Sequence, residues 1–125
     1  FDLSKPTLEL SDEDYGVWYV DVMDNPDRYQ GKVISFLGQI AQSDKFPRGT
    51  CAAGRFAMVC CAEDTTFLGV LIKGPEVKEL KTRDWVRVTG RVQIEKVALY
   101  QGEGPVLHIL DVQKAEAPKD ELVYF

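Results

Sequence analysis

Arg55-Phe56-Ala57-Met58-Val59-Cys60-Cys61-Ala62-Glu63-Asp64 carries an apolar run too short for a helix of ordinary length, closed by an acidic pair. Aromatic and β-branched residues resume over Thr65–Ile72. Two short apolar runs about a polar break predict a β-hairpin. Working outward, Gly74-Pro75 stops the second strand, and Pro75 suits the first turn of a short helix running to about Leu80. Upstream, Ser43–Gly54 holds Lys45, Pro47, Arg48 and two glycines, which predicts a loop.

Two longer strands flank this hairpin. Val33–Ile40 and Trp85–Ile94 are each interrupted by a glycine, Gly38 and Gly90. Glycine inside a strand marks a bulge or sharp bend, so each reads as a long bent strand able to serve two faces of a small barrel. Gln101–Gly104 is a glycine-marked turn, and Pro105–Val112 is the last strand.

At the N-terminal side, Ser11 and Asp14 fit a capping box with Asp in place of the usual Glu. Asp12, Glu13 and Asp14 suit the positive end of a helix dipole. Tyr15, Trp18, Tyr19, Val22 and Met23 then make one amphipathic stripe, which packs on the core. Asn25-Pro26 ends the helix, because proline drives the residue before it out of helical geometry.

The order is helix, strand, hairpin, short helix, strand, strand. It predicts a mainly β domain: a five-stranded OB-type barrel with an N-terminal amphipathic helix and a short helix between the third and fourth strands. Residues 1–10 read as a lead-in, 11–114 as the barrel with its helix, and 115–125 as a charged tail along the surface.

The 125 residues suffice for one core, and a net charge of −5 works against binding a phosphate backbone. Lys and Arg are scattered singly among acids. No apolar stretch approaches the roughly 20 residues of a membrane helix. The chain begins at Phe rather than Met, so it reads as a piece of a longer protein.

Three cysteines cannot all pair within the chain. Neighbouring Cys60 and Cys61 are about 3.8 Å apart at Cα, short for a disulfide. In a strand they point to opposite faces, poorly placed to hold one ion together.

With these motifs in view, the chain resembles the soluble C-terminal domain, of unknown function, found in a bacterial membrane-protein family named for a subunit of a two-component membrane permease complex. The resemblance runs from Leu10 to the end. It rests on Asn25–Lys32, Arg55–Asp64, Asp84–Gly90, Pro105–Leu107 and Pro118–Asp120, the double-cysteine strand being the most specific. It implies a membrane-anchoring segment outside this chain and a permease subunit as partner. The domain itself is expected on the extracytoplasmic side.

Candidate chemistry is sparse. Cys60 and Cys61, joined by Cys51 from the preceding loop, are the candidate metal ligands, with zinc as the candidate ion. Glu63 and Asp64 could add oxygens. Arg55 and Asp64 are candidate ligand-binding residues; Arg55 could bind an anion or lower a thiol pKa. His108 alternates with Leu107 and Ile109, which places it on the surface. Phe36, Phe56, Phe67 and Trp85 fit core positions as well as a stacking face. No catalytic triad, phosphate loop or carboxylate pair is visible, and no enzyme activity is expected. The sequence therefore predicts a non-enzymatic domain binding a protein partner, a small ligand or a metal ion, with no nucleic acid expected. An oligonucleotide-binding module, or a thiol redox domain using Cys60 or Cys61 with Cys51, are the alternatives.

Overall fold

The chain enters its first helix where the sequence supplies a cap. In the computed structural model, which describes residues 1–58 and 65–124, Ser11 Oγ accepts from the Asp14 amide at 3.2 Å. Asp14 returns the bond to the Ser11 amide, completing the capping box. Helix α1 (Asp12–Asp24) buries Tyr15, Trp18 and Val22, and leaves Tyr19 and Met23 at the edge of the core. Tyr15 and Trp18 meet Phe36 with ring centroids 5.0 and 5.9 Å apart. Tilted aromatic contacts of this kind add about 0.5–1.5 kcal/mol each beyond area burial. The helix stops at the residue before Asn25-Pro26, as expected, and a 3-10 turn follows over Pro26–Tyr29.

The described residues form seven strands: β1 (Leu8–Glu9), β2 (Val33–Ala41), β3 (Thr50–Met58), β4 (Thr65–Lys73), β5 (Trp85–Val97), β6 (Gly102–Lys114) and β7 (Leu122–Tyr124). β2 pairs antiparallel with β5 over Val33–Gln39, then turns to pair with β3 over Gln39–Ala41. The switch falls beside Gly38. β5 runs antiparallel to β6 with a register shift between Thr89 and Gly90, the second expected bend. Parallel pairing of Leu71–Lys73 in β4 with Val106–His108 in β6 closes the circuit β2-β5-β6-β4-β3. This is the five-stranded OB-type barrel, with a 3-10 turn (Pro75–Glu79) as the short helix between its third and fourth strands. No helix among the described residues is long and apolar enough to cross a membrane.

Ile34, Phe36, Ile40, Val70, Ile72, Val86, Val88, Val92 and Leu107 fill the barrel beneath α1. A second, smaller cluster lies on the opposite face of β4, where Leu71, Val97 and Val106 pack with Phe46 and Tyr100. The Tyr100 hydroxyl accepts from the Leu71 amide at 3.1 Å and donates to the Pro105 carbonyl at 2.9 Å.

Four local expectations differ from the structure. β6 starts at Gly102, so Gly102–Gly104 is strand rather than turn. β3 starts at Thr50, so Thr50–Gly54 is strand rather than loop and Cys51 sits in β3. Lead-in residues Leu8–Glu9 join β2, and tail residues Leu122–Tyr124 join β3 in parallel. β2 leaves β3 after Gly54, so the edge of Phe56–Met58 would be unpaired without β7. An open edge with unmade backbone hydrogen bonds is costly, and the returning chain fills it.

Candidate functional site

Strand parity places the side chains of the hairpin. On β3, Cys51, Ala53, Arg55 and Ala57 share one parity and are fully buried, whereas Ala52, Gly54, Phe56 and Met58 take the other. On β4, Leu68, Val70 and Ile72 enter the core, which turns Phe67, Gly69 and Leu71 to the outer face. Phe56 and Phe67 are register partners, with ring centroids 5.0 Å apart, and Phe56 remains 42% exposed. The Phe67 ring lies over Gly69, where a Cβ would stand only 2.5 Å from it. The two rings are therefore an outer-face pair, which decides between the core and face positions that Phe56 and Phe67 both fit.

The pair forms one wall of an open groove of about 710 Å³, whose other lining includes Gln39, Thr82, Arg83 and Glu121. The turn that carries Arg83 is pinned to β2. Its amide donates to Ile40 O at 2.8 Å, and Thr82 Oγ accepts from the Gln42 amide at 2.9 Å. Sequence reading missed this groove. Parity alone would have turned Phe56 and Phe67 outward, because each sits out of step with its strand's core residues. Nothing in the sequence marks Arg83.

Arg55, a candidate ligand-binding residue, is fully buried and engaged within the chain. Nη1 meets Asp12 Oδ1 at 2.7 Å, Nη2 donates to Asp120 O at 3.0 Å, and Nε and Nη2 both reach Glu121 O at 3.2 Å. Its guanidinium also lies 5.2 Å from the Trp85 ring centroid. Arg55 thus ties β7 and the first turn of α1 to β3. Cys60, Cys61, Glu63 and Asp64 lie outside the described residues.

Cys51 is sealed in the core, and burial pushes its thiol up to about 12. Zinc binds thiolate, so a thiol that holds its proton within apolar packing fits that ion poorly. Among the described residues, no three of His, Cys, Asp and Glu gather as metal ligands. His108 lies on the outer face beside buried Leu107, its Nε2 against Glu95 Oε2, with Lys73 Nζ 3.6 Å from the other carboxylate oxygen. The bond from His108, then the Lys73 charge, hold the Glu95 carboxyl below its usual range.

Burial also raises Tyr29 and Tyr100 to about 12, and Tyr15 well above its ordinary 10.0. The unfolded chain loses these tyrosine protons and that of Cys51 first, so between the two sets of values the folded state binds more protons. Rising pH then favours unfolding. The urea midpoint is expected to hold steady up to the ordinary thiol value of 9.0 and to fall progressively as pH approaches about 12. A midpoint that stays flat across that window would contradict the burial of these groups.

Comparison with known proteins places the chain among relatives. The family model described as the DUF1980 C-terminal domain matches residues 2–125. "UPF0703 protein YcgQ" of Bacillus subtilis (strain 168) is 23% identical over 97% of this chain and 42% of its own length. "Putative two-component membrane permease complex subunit" of Streptococcus mutans serotype c is 28% identical over 85% of this chain and 40% of its own length. The chain thus spans about two fifths of both relatives. Among solved structures, the mitochondrial single-stranded DNA binding protein Rim1 of S. cerevisiae superposes at a TM-score of 0.39 with 10% identity, covering 70% of this chain and 97% of that one. A likeness that slight carries no argument.

Proposed function

The chain belongs to the DUF1980 C-terminal domain family, and we propose that it is a non-enzymatic, small-ligand-binding domain of a membrane permease-complex subunit, with the β3–β4 groove as its binding surface. In this reading the remainder of the protein anchors it to the membrane, and the second component of the complex is its partner.

One observation carries the proposal: two phenylalanines held side by side on the outer face, at the wall of an open groove of about 710 Å³. That volume lies within the range of small-molecule sites, which combine apolar walls with a few polar groups. The filling of the neighbouring outer face supports a short ligand over a long one. Phe46 from the loop before β3 and Tyr100 from the turn after β5 pack on Leu71, Val97 and Val106. A nucleic-acid strand needs a continuous track of aromatic and basic groups, and that half of the face is covered by the chain itself.

The test is an amide-resolved NMR titration of the domain with a library of small aromatic fragments. A subset is expected to move the amide signals of Gln39, Phe56, Phe67, Thr82 and Arg83 together. A library that leaves those signals in place would remove the small-ligand reading and pass the face to a protein partner.

A further inference from the structure

Arg83, the one cation among the described residues that line the groove, stands in a conformation that its own side chain disfavours. Arg83 has φ +80°, in the left-handed region that glycine enters freely and other residues enter at a cost. Its peptide is fixed there from both sides, the amide donating to Ile40 O at 2.8 Å and the carbonyl accepting from Gln39 Nε2 at 3.4 Å. Strain of this kind persists where the surrounding structure enforces it, and an observed outlier is ground for a functional hypothesis. No contact among the described residues accounts for an arginine here. Among the described residues its guanidinium has no hydrogen-bond or ion partner, which it shares with Arg48 and Arg87 but not with Arg28, Arg55 and Arg91. The adjacent acid is committed elsewhere, Asp84 accepting from the Lys81 amide at 3.0 Å and from Lys114 Nζ at 2.9 Å.

We infer that the groove takes a small amphiphilic monoanion, its aromatic or apolar body against Phe56 and Phe67 and its acid group on Arg83. The inference rests on the reading of the groove as a ligand site and adds the ligand's chemical class. Guanidinium suits carboxylate, sulfonate or phosphate oxygens, which it meets through paired N–H donors. Glu121, which with Arg83 makes up the charged lining among the described residues, disfavours a second negative charge on the same ligand. Arg83 is thus a specificity residue for charge, and the phenylalanine pair sets affinity for the apolar body.

Two fluorescent probes separate these roles. 1-Anilinonaphthalene-8-sulfonate carries an aromatic body and one anionic group; N-phenyl-1-naphthylamine is the same body without the sulfonate. The sulfonate is expected to bind saturably and more tightly than the neutral probe. Arg83→Gly should weaken the sulfonate about tenfold, the loss of one charge-assisted contact, and leave the neutral probe within about twofold. The glycine relieves the backbone, so the melting temperature of Arg83→Gly should be no lower than the parent's. Phe56→Ala should weaken both probes. Equal weakening of both probes by Arg83→Gly, or a neutral probe that binds as tightly as the sulfonate, would overturn the anion preference and leave the groove reading standing. Failure of both probes to saturate would overturn both.

Discussion

Arg55→Met is expected to lower the melting temperature by about 10 °C, from a loss of about 3 kcal/mol at about 3 °C per kcal/mol for a domain of this size. Methionine can follow the path of the arginine stem and keep part of the packing near Trp85, but it offers no donors. The carbonyls of Asp120 and Glu121, which share three of the bonds from Arg55, would stay buried without partners or pull away from β3. Asp12 adds little to the cost, because its side chain is 51% exposed and can rehydrate. The two effects are separable by amide exchange. Release of the tail should speed exchange at Leu122–Tyr124 well beyond the global change, since those three residues hold β7 to β3. Arg55→Lys should recover only part of the loss, because a point charge cannot reproduce the guanidinium fork. A melting temperature within about 2 °C of the parent for Arg55→Met would show that the tail holds without this anchor.

Gly54→Ala is expected to cost about 4 kcal/mol, combining strained packing with a lost buried hydrogen bond. A Cβ on Gly54 would stand 1.9 Å from Leu68 O and 2.7 Å from Gly69 Cα. Both obstacles are backbone atoms of the paired strand, so no side chain can rotate away and β4 itself must shift. Leu68 O also accepts from the buried Tyr15 hydroxyl at 2.7 Å, so displacing that carbonyl breaks a polar link from α1 to the barrel. Gly49→Ala is the control. It places a side chain at φ +79° with nothing within 4 Å, so it tests backbone strain without collision and should cost only about 1 kcal/mol. Chemical denaturation of the two variants checks the difference. A Gly54→Ala loss no greater than that of Gly49→Ala would mean that β4 shifts cheaply and that close approach does not require glycine at Gly54.

The parts of the fold that sequence made legible are those written locally. The Ser11 cap, the aromatic stripe of α1 and the glycine bends of β2 and β5 are each set by residues within a few positions of one another. β3 was read short because Cys51, Ala52, Ala53 and Gly54 have little intrinsic strand preference, and here the tertiary environment makes the strand. β7 has no sequence signal of its own. Three residues become a strand because a barrel edge far away in the chain lacks a partner. The same distance hid the role of Arg55, whose partners lie 43 residues before it and up to 66 after it. It read as an available cation, and an isolated arginine carries no mark of burial. Of the candidate site, the phenylalanine pair was legible in principle from strand parity. The Arg83 conformation was not, since a left-handed arginine is imposed by β2, which bonds both its amide and its carbonyl.

On the proposed function, Phe56 and Phe67 serve binding rather than folding. The most direct measurement is a titration of the Phe56→Ser/Phe67→Ser double variant with a fragment that moves the groove amides of the parent, made alongside its melting temperature. A melting temperature within a few degrees of the parent and no fragment binding are expected. A double variant that still binds the fragment, or one that unfolds well below the parent, would contradict the proposed function.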